Sequence, residues 1–145
     1  MTGLVFVDTN VLIYALDERD PAKRSAALDW RRELWKSGRG RVSFQVLHEC
    51  YWQLLRLWPH KRTEAQAEVR DLLEWKPLAV DAAVLENAWK LQDRYQLSFW
   101  DSLIVAAAKA AGCASLLTED LQAGQDLDGV KVLNPFLTEP ASLGL

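Results

Sequence analysis

Two acidic residues lie just beyond short apolar runs of this chain. Asp8 follows the β-branched and aromatic run Leu4–Val7, and Asp120 closes the polar triplet 118–120 that follows the apolar run 115–117. Runs of this kind are typical of strands buried in a parallel sheet. Because ligands of open parallel sheets bind beyond the carboxyl ends of the strands, we expect both carboxylates at one edge of the sheet.

Two further acidic residues belong to predicted helices. Asp101 lies in the first turn of a helix that begins near Ser98, where the helix dipole favours a carboxylate. Glu49 lies inside a helix predicted over 44–58, on a stripe that contains Gln45, Glu49, Trp52 and Arg56. The opposite face of that helix is apolar and should pack against the core. Glu49 therefore lies on the face that remains available to line a site. Taken singly, each of the four acids is also consistent with a helix cap, a turn residue or a solvated side chain.

A group of four carboxylates makes a specific chemistry plausible. Close carboxylates repel one another and raise one another's pKa unless a cation compensates their charge. Mg²⁺ and Mn²⁺ prefer oxygen ligands, and a site of this kind can activate a water molecule and neutralise charge on a phosphate. The predicted chemistry is therefore hydrolysis of a phosphodiester.

The elements that position these residues alternate between strands and helices. Strands are predicted at 4–7, 41–43, 78–80, 115–117 and 130–133, and helices at about 8–16, 21–37, 44–58, 63–75, 81–95 and 98–112. Asp20, Asp81 and Ser98 are predicted helix caps, and Thr63 with Gln66 has the spacing of a capping box. This alternation predicts an α/β fold with a parallel sheet covered on both sides, and the tail after Asn134-Pro135 is expected to pack loosely.

Length and composition predict one domain, residues 1–145. Half of the 145 residues are hydrophobic and 26% are charged, which excludes disordered and low-complexity classes. The longest apolar stretch, 103–108, is too short to span a membrane, and no secretory signal is visible. We therefore expect a cytoplasmic protein without a membrane partner, in which Cys50 and Cys113 are small buried residues.

Several segments together resemble the PIN-domain nucleases. They are 7–10 after the first strand, Glu49 in its helix, the segment 98–108 (which contains Phe-Trp-Asp101-Ser-Leu-Ile) and the triplet 118–120. Within these nucleases the chain looks most like the VapC-type toxins of bacterial toxin–antitoxin pairs. The resemblance runs from about residue 4 to residue 134. Its most specific part is the segment 98–108, whereas the triplet Asp-Thr-Asn is weak alone.

This resemblance implies a three-layer α/β/α sandwich with a central parallel sheet of four to five strands. It implies an endoribonuclease that depends on Mg²⁺ or Mn²⁺, forms a homodimer and is held inactive by a small antitoxin protein. The residues that match the catalytic and metal-binding acids are Asp8, Glu49, Asp101 and Asp120, and those that match the polar residues orienting them are Asn10 and Thr118. Glu119 is an extra acid, which leaves open whether it or Asp120 faces the metal.

An uneven charge distribution identifies candidate RNA contacts. The net charge is −3, yet residues 1–70 carry +3 and residues 71–145 carry −6. A local basic region permits a nucleic-acid partner without requiring one. The candidate RNA-binding residues are Arg24, Arg31, Arg32, Arg56, Lys61 and Arg62. Trp35 and Trp52 are assigned either to the core or to a groove that receives the antitoxin.

Two alternative functions remain open at this point. The first is a catalytically idle PIN-like module that binds RNA or serves as a scaffold. The second is another metal-dependent phosphohydrolase, such as a haloacid-dehalogenase-like phosphatase. That second chemistry uses Asp-x-Asp after the first strand, and Asn10 stands at the position of the second Asp.

Overall fold

A computed structural model describes residues 3–145. Five strands form one sheet in the order β2-β1-β3-β5-β4. The strands are β1 (Leu4–Val7), β2 (Gly40–Arg41), β3 (Cys113–Leu117), β4 (Asp126–Leu127) and β5 (Val130–Leu133). The helices are α1 (Thr9–Tyr14), α2 (Pro21–Ser37), α3 (Phe44–Leu57), α4 (Arg62–Asp71), α5 (Ala82–Tyr95) and α6 (Phe99–Ala110).

The sheet is parallel except at one edge. β1 pairs in parallel with β2 and β3, and β3 pairs in parallel with β5. β4 runs antiparallel to β5, because only Asp128 and Gly129 separate the two strands and such a short connection permits only a hairpin. Helices cover the sheet, which confirms the predicted three-layer α/β/α sandwich.

The central strands are buried because their side chains are almost all apolar. Val5, Phe6 and Leu116 have no exposed surface, and they share one hydrophobic core with the inner faces of the helices. Cys50 and Cys113 are buried in that core as free thiols, and burial raises the pKa of each thiol to about 12. Among residues 3–145, no helix has both the length and the apolarity that crossing a membrane requires.

Most of the predicted helix caps are confirmed. The side chains of Asp20, Asp81 and Ser98 accept hydrogen bonds from backbone N–H groups in the first turns of α2, α5 and α6. The capping box at Thr63 and Gln66 was wrong. α4 begins one residue earlier, at Arg62, and Gln66 instead donates to the Tyr51 hydroxyl at 3.4 Å.

The strand predicted at 78–80 was also wrong. Leu78 forms only a single parallel bridge with Ser43, and the residues after it turn outward to the cap of α5. Ser43 itself caps α3 by accepting from the Val46 N–H at 3.2 Å, and β2 therefore ends before it.

The tail is packed rather than loose. The Trp30 indole is buried and its N–H donates to the Thr138 carbonyl at 3.0 Å. Phe136 packs edge-on against Tyr14, with ring centroids 5.3 Å apart. The sequence pattern missed this docking because the acceptor is a backbone carbonyl, which leaves no trace in the residue types.

The backbone of β2 passes against the buried ring of Trp75. A Cβ added to Gly40 would lie 2.6 Å from Cε2 of that ring, closer than two non-bonded carbon atoms can approach. We therefore expect Gly40→Ala to lower the free energy of unfolding by ~1–3 kcal/mol, which urea denaturation would measure. The same substitution in a Trp75→Phe background should lose less, and equal losses in both backgrounds would contradict this clash.

Candidate functional site

Asp8 lies where β1 passes into α1, and its carboxylate is nearly buried, with 9% of the residue exposed. It accepts hydrogen bonds from the Thr9 backbone N–H at 2.7 Å and from the Thr118 hydroxyl at 2.9 Å. Thr118 follows β3, the neighbouring parallel strand. The carboxyl ends of the two central strands therefore meet at this carboxylate, as predicted.

Asn10 connects Asp8 to Asp120. Its amide nitrogen lies 3.0 Å from Oδ2 of Asp120, 3.1 Å from the Thr118 hydroxyl and 3.5 Å from Oδ2 of Asp8. One side-chain amide thus lies between carboxylates that are far apart in the chain. The structure brings together Asp8, Asn10, Thr118 and Asp120 from the predicted set.

Glu49 joins this group through α1. Its Oε2 accepts from the Thr9 hydroxyl at 3.0 Å, and its Oε1 accepts from the Gln45 amide at 2.9 Å, one turn earlier on α3. Thr9 was missed in the sequence analysis as a side chain of the site. Its position between Asp8 and Asn10 was the available signal.

Asp101 occupies the first turn of α6, half-buried, where its backbone N–H donates to the Ser98 hydroxyl at 3.1 Å. No hydrogen bond or ion pair joins its carboxylate to another side chain of residues 3–145. The structure thus links three of the four predicted acids and leaves the fourth without a protein partner for its carboxylate.

Glu119 and Asp120 have different surroundings. The Glu119 carboxylate accepts from the Tyr14 hydroxyl at 2.6 Å and forms an ion pair with Lys23 at 3.0 Å. The Lys23 ammonium also lies over the rings of Tyr14 and Phe136, at 4.7 and 5.0 Å. The hydrogen bond to Glu119 raises the pKa of Tyr14 and that of Lys23. Asp120, and not Glu119, therefore lies with Asn10 and Asp8.

The electrostatics of this group are unfavourable to an ionised Asp8. Burial raises the pKa of Asp8 from 3.8 to about 6, and the charges of Asp120 and Glu49 add to that effect. The hydrogen bonds from Thr118 and Thr9 oppose the rise without cancelling it. Within residues 3–145, no lysine or arginine forms an ion pair with Asp8, Glu49 or Asp120.

The donor chemistry fits a hard divalent cation. Besides the carboxylates, the carbonyl oxygens of Asn10 and Gln45 are buried without a hydrogen-bond partner. Oxygen atoms of these types are the ligands that Mg²⁺ and Mn²⁺ prefer. In the part of the chain that the structure describes, however, no three acidic, histidine or cysteine side chains converge closely enough to hold a metal ion as they stand. Hydroxyl and amide groups lie between the carboxylates instead.

The candidate RNA-binding residues do not form one surface. Arg24 and Lys61 line one cavity, and Arg56 lines another beside it. Arg31 forms an ion pair with Glu68 at 2.9 Å that ties α2 to α4. Arg32 is exposed and lies 3.3 Å from Asp29, and Arg62 is exposed at the start of α4.

The raised pKa of Asp8 predicts how stability depends on pH in metal-free protein. Folded Asp8 binds its proton more tightly than Asp8 of the unfolded chain does. The contribution of this group to the free energy of unfolding therefore falls as pH rises from about 4 to about 6. A carboxyl pKa raised this far destabilises the folded protein by at most ~3 kcal/mol at neutral pH. We expect Asp8→Asn, which removes the charge and keeps the shape, to raise the free energy of unfolding there by ~1–2 kcal/mol.

Urea denaturation in EDTA at several pH values would measure this difference. Asp93→Asn, which changes an exposed carboxylate on α5, is the matched control. Its free energy of unfolding should differ little from that of wild type at each pH. If the gap between wild type and Asp8→Asn stayed constant from about pH 4 to about pH 7, the raised pKa would be refuted.

Solved structures with the same fold include proteins of toxin–antitoxin systems. The toxin–antitoxin complex from Klebsiella pneumoniae matches with a TM-score of 0.64 and 18% identity, covering 93% of this chain and 98% of that one. VapBC2 from Rickettsia felis, bound to a promoter DNA fragment, matches with a TM-score of 0.62 and 16% identity, covering 90% of this chain and 98% of that one. VapC20 from Mycobacterium tuberculosis, a toxin that cleaves the sarcin-ricin loop, matches with a TM-score of 0.59 and 26% identity, covering 77% and 86%.

No curated protein matches the chain. The comparison with family models, however, agrees with the comparison of folds. The family model of the PIN domain matches residues 5–125, a span that includes β1, β3 and all four predicted acids. With the fold, the strand-end carboxylates and this match in agreement, the chain belongs to the PIN domain family.

Proposed function

We propose that this protein is a metal-dependent endoribonuclease that hydrolyses RNA phosphodiester bonds, and that it is the toxin of a toxin–antitoxin pair. One observation carries the proposal. The buried carboxylate of Asp8 lies with Asp120 and Glu49 at the carboxyl end of a PIN sheet, and no basic side chain of residues 3–145 is paired with any of them. Such a group of charges favours a bound cation, and a phosphodiester is the substrate that a cation there would serve.

Each residue has a proposed role in this reaction. Asp8, Glu49, Asp101 and Asp120 are the proposed catalytic and metal-binding acids, which would hold Mg²⁺ or Mn²⁺. When bound, the divalent ion supplies activation of water and charge neutralisation at the scissile phosphate. Asn10 and Thr118 hold Asp8 and Asp120 in a fixed relation through their hydrogen bonds.

The substrate and partners rest on the similar structures. VapC20 cleaves the sarcin-ricin loop, an RNA element, and two of the matched structures are toxin–antitoxin complexes. We infer an RNA substrate, a small antitoxin partner, a homodimer and a cytoplasmic location for this chain. Arg24, Arg31, Arg32, Arg56, Lys61 and Arg62 remain the proposed RNA contacts.

A catalytically idle PIN-like module is the alternative that one observation favours. As the side chains stand, no three of the acids among residues 3–145 converge on one point. The presence of all four acids argues against idleness. Capping of α1 gives the Asp8 carboxylate a structural role, but that role does not require the nearby carboxylates of Glu49 and Asp120, whose charges raise its pKa.

Cleavage of RNA by purified protein separates these functions. We expect wild-type protein to cut RNA with Mg²⁺ or Mn²⁺ and to stop in EDTA. Asp101→Asn should fall to the EDTA level, because the half-buried Asp101 carboxylate, which has no protein partner, is a proposed ligand of the ion. Asp93→Asn, prepared identically, should keep wild-type activity. Equal cleavage by wild type and Asp101→Asn would reveal a contaminating nuclease and contradict the proposal.

A further inference from the structure

An open cavity of about 450 Å³ lies beside the group of acids. It is lined by Ile13, Arg19, Trp52, Gln53, Arg56 and Leu57. Its volume is within the range of about 300–1,000 Å³ typical of small-ligand sites. None of the acidic residues considered above lines the cavity, so its lining differs chemically from the neighbouring group of carboxylates.

The packing of α1 on α3 fixes where this cavity lies. At one end of the pair, Thr9 contacts Glu49. Ile13 and Gln53, each four residues further along its helix, both line the cavity. Four residues make about one helical turn, or about 5.4 Å along the axis. The cavity therefore begins about one helical turn from Glu49 and extends along α3 to Arg56 and Leu57.

The side chains of the cavity suit a nucleotide. Trp52 is 63% exposed, which excludes the core assignment made from sequence, and its ring offers a face on which a base can stack. Arg56 is exposed and forms no ion pair within residues 3–145. It lies one turn beyond Trp52, where a phosphate attached to a stacked base would need a cation.

Arg19 is the second cation of the cavity, and it is held in place. Its Nε and Nη2 donate to the carboxylate of Asp17, at 2.9 and 2.8 Å, while 78% of its side chain is exposed. These bonds lower the pKa of Asp17 to about 2. An arginine fixed by a buried carboxylate presents its remaining N–H groups without losing further side-chain freedom on binding.

A second cavity shares Arg19 and Leu57 with the first, and its charged lining is mixed. Arg24, Trp58 and Lys61 line it together with Asp17, Glu18 and Glu64. The excess of positive charge therefore belongs to the first cavity, whose lining among residues 3–145 contains two arginines and no acidic residue. A tryptophan ring beside exposed arginines is a surface that suits single-stranded nucleic acid.

We propose that Trp52, Arg56 and Arg19 form a subsite for the nucleotide next to the scissile phosphate, with its base stacked on Trp52 and its phosphate held by the two arginines. This inference rests on the proposed function, since it assumes that RNA reaches the acids. An exposed aromatic ring beside two arginines favours RNA over an antitoxin segment as the occupant, because each nucleotide carries both a base that stacks and a phosphate that pairs with a cation. An antitoxin segment in this cavity is instead an outcome of the test.

Binding of a short fluorescein-labelled single-stranded RNA of mixed sequence tests the subsite. The measurement uses the Asp101→Asn background with Mg²⁺, so that binding is separated from cleavage. We expect Trp52→Ala to raise Kd about tenfold and Trp52→Phe to stay near the background value, since phenylalanine keeps a stacking face. Arg56→Gln should raise Kd several-fold and reduce the slope of log Kd against log salt by about one.

Two matched variants control for general surface effects. Trp89→Ala removes another half-exposed tryptophan, on α5, and Arg70→Gln removes another exposed arginine, on α4. Both should bind RNA like the background protein. Melting temperatures of all variants would verify that each is folded, as expected for exposed side chains.

The outcomes distinguish the subsite from the proposed function. RNA binding that is unchanged in Trp52→Ala would overturn the subsite, leaving an antitoxin segment as the other candidate occupant of the cavity and the proposed nuclease in place. A background protein that binds no RNA, together with wild-type protein that cuts none, would overturn both. A loss of affinity in Trp89→Ala equal to that in Trp52→Ala would also overturn the subsite.

Discussion

The structure of the site depends on one constraint, which is a carboxylate buried where two parallel strands end. Asp8 is 9% exposed and has carboxylates, not cations, as its charged neighbours. The hydrogen bonds around it lower the free energy of that placement without removing the charge. Thr9 and Thr118 donate to it, and Asn10 lies between it and Asp120. The hydrogen bonds hold the site together, and the uncompensated charge is the reason for which we propose a bound cation.

The same constraint explains why the residues of the triplet 118–120 contact different partners. Thr118 faces Asp8, and Asp120 faces Asn10, whereas Glu119 turns to Lys23 and Tyr14. The chain bends at Glu119 and Asp120, and the Asp120 N–H donates to the Thr118 hydroxyl at 3.1 Å, so three neighbouring polar residues serve two different clusters. The ion pair of Glu119 ties the loop to α2 and fixes the position from which Asp120 reaches the acids.

Local patterns predicted the fold and the site where short-range physics decides the structure. The buried run before Asp8, the caps at Asp20 and Ser98, and the stripe that carries Glu49 all reflect interactions between residues close in the chain. The strand expected at 78–80 failed because its pairing was decided by Ser43, which caps α3 instead of extending β2.

Contacts between distant residues could not be read in this way. No local signal places Lys23 against Glu119, docks the tail on Trp30, or brings Arg19 beside Trp52. The choice between Glu119 and Asp120 was accordingly open from sequence, and Trp52 was assigned to either a groove or the core. Such features depend on how the helices pack around the sheet, which the periodicity of one segment does not encode.

Titration of Mn²⁺ while the melting temperature is followed tests the central claim most directly, which is that the buried acids form a cation site. A ligand that binds only the folded protein stabilises it in proportion to the logarithm of its concentration. We expect the melting temperature of wild-type protein and Asp93→Asn to rise through the millimolar range, and that of Asp8→Asn to rise far less. A wild-type melting temperature unchanged by millimolar Mn²⁺ would contradict the account.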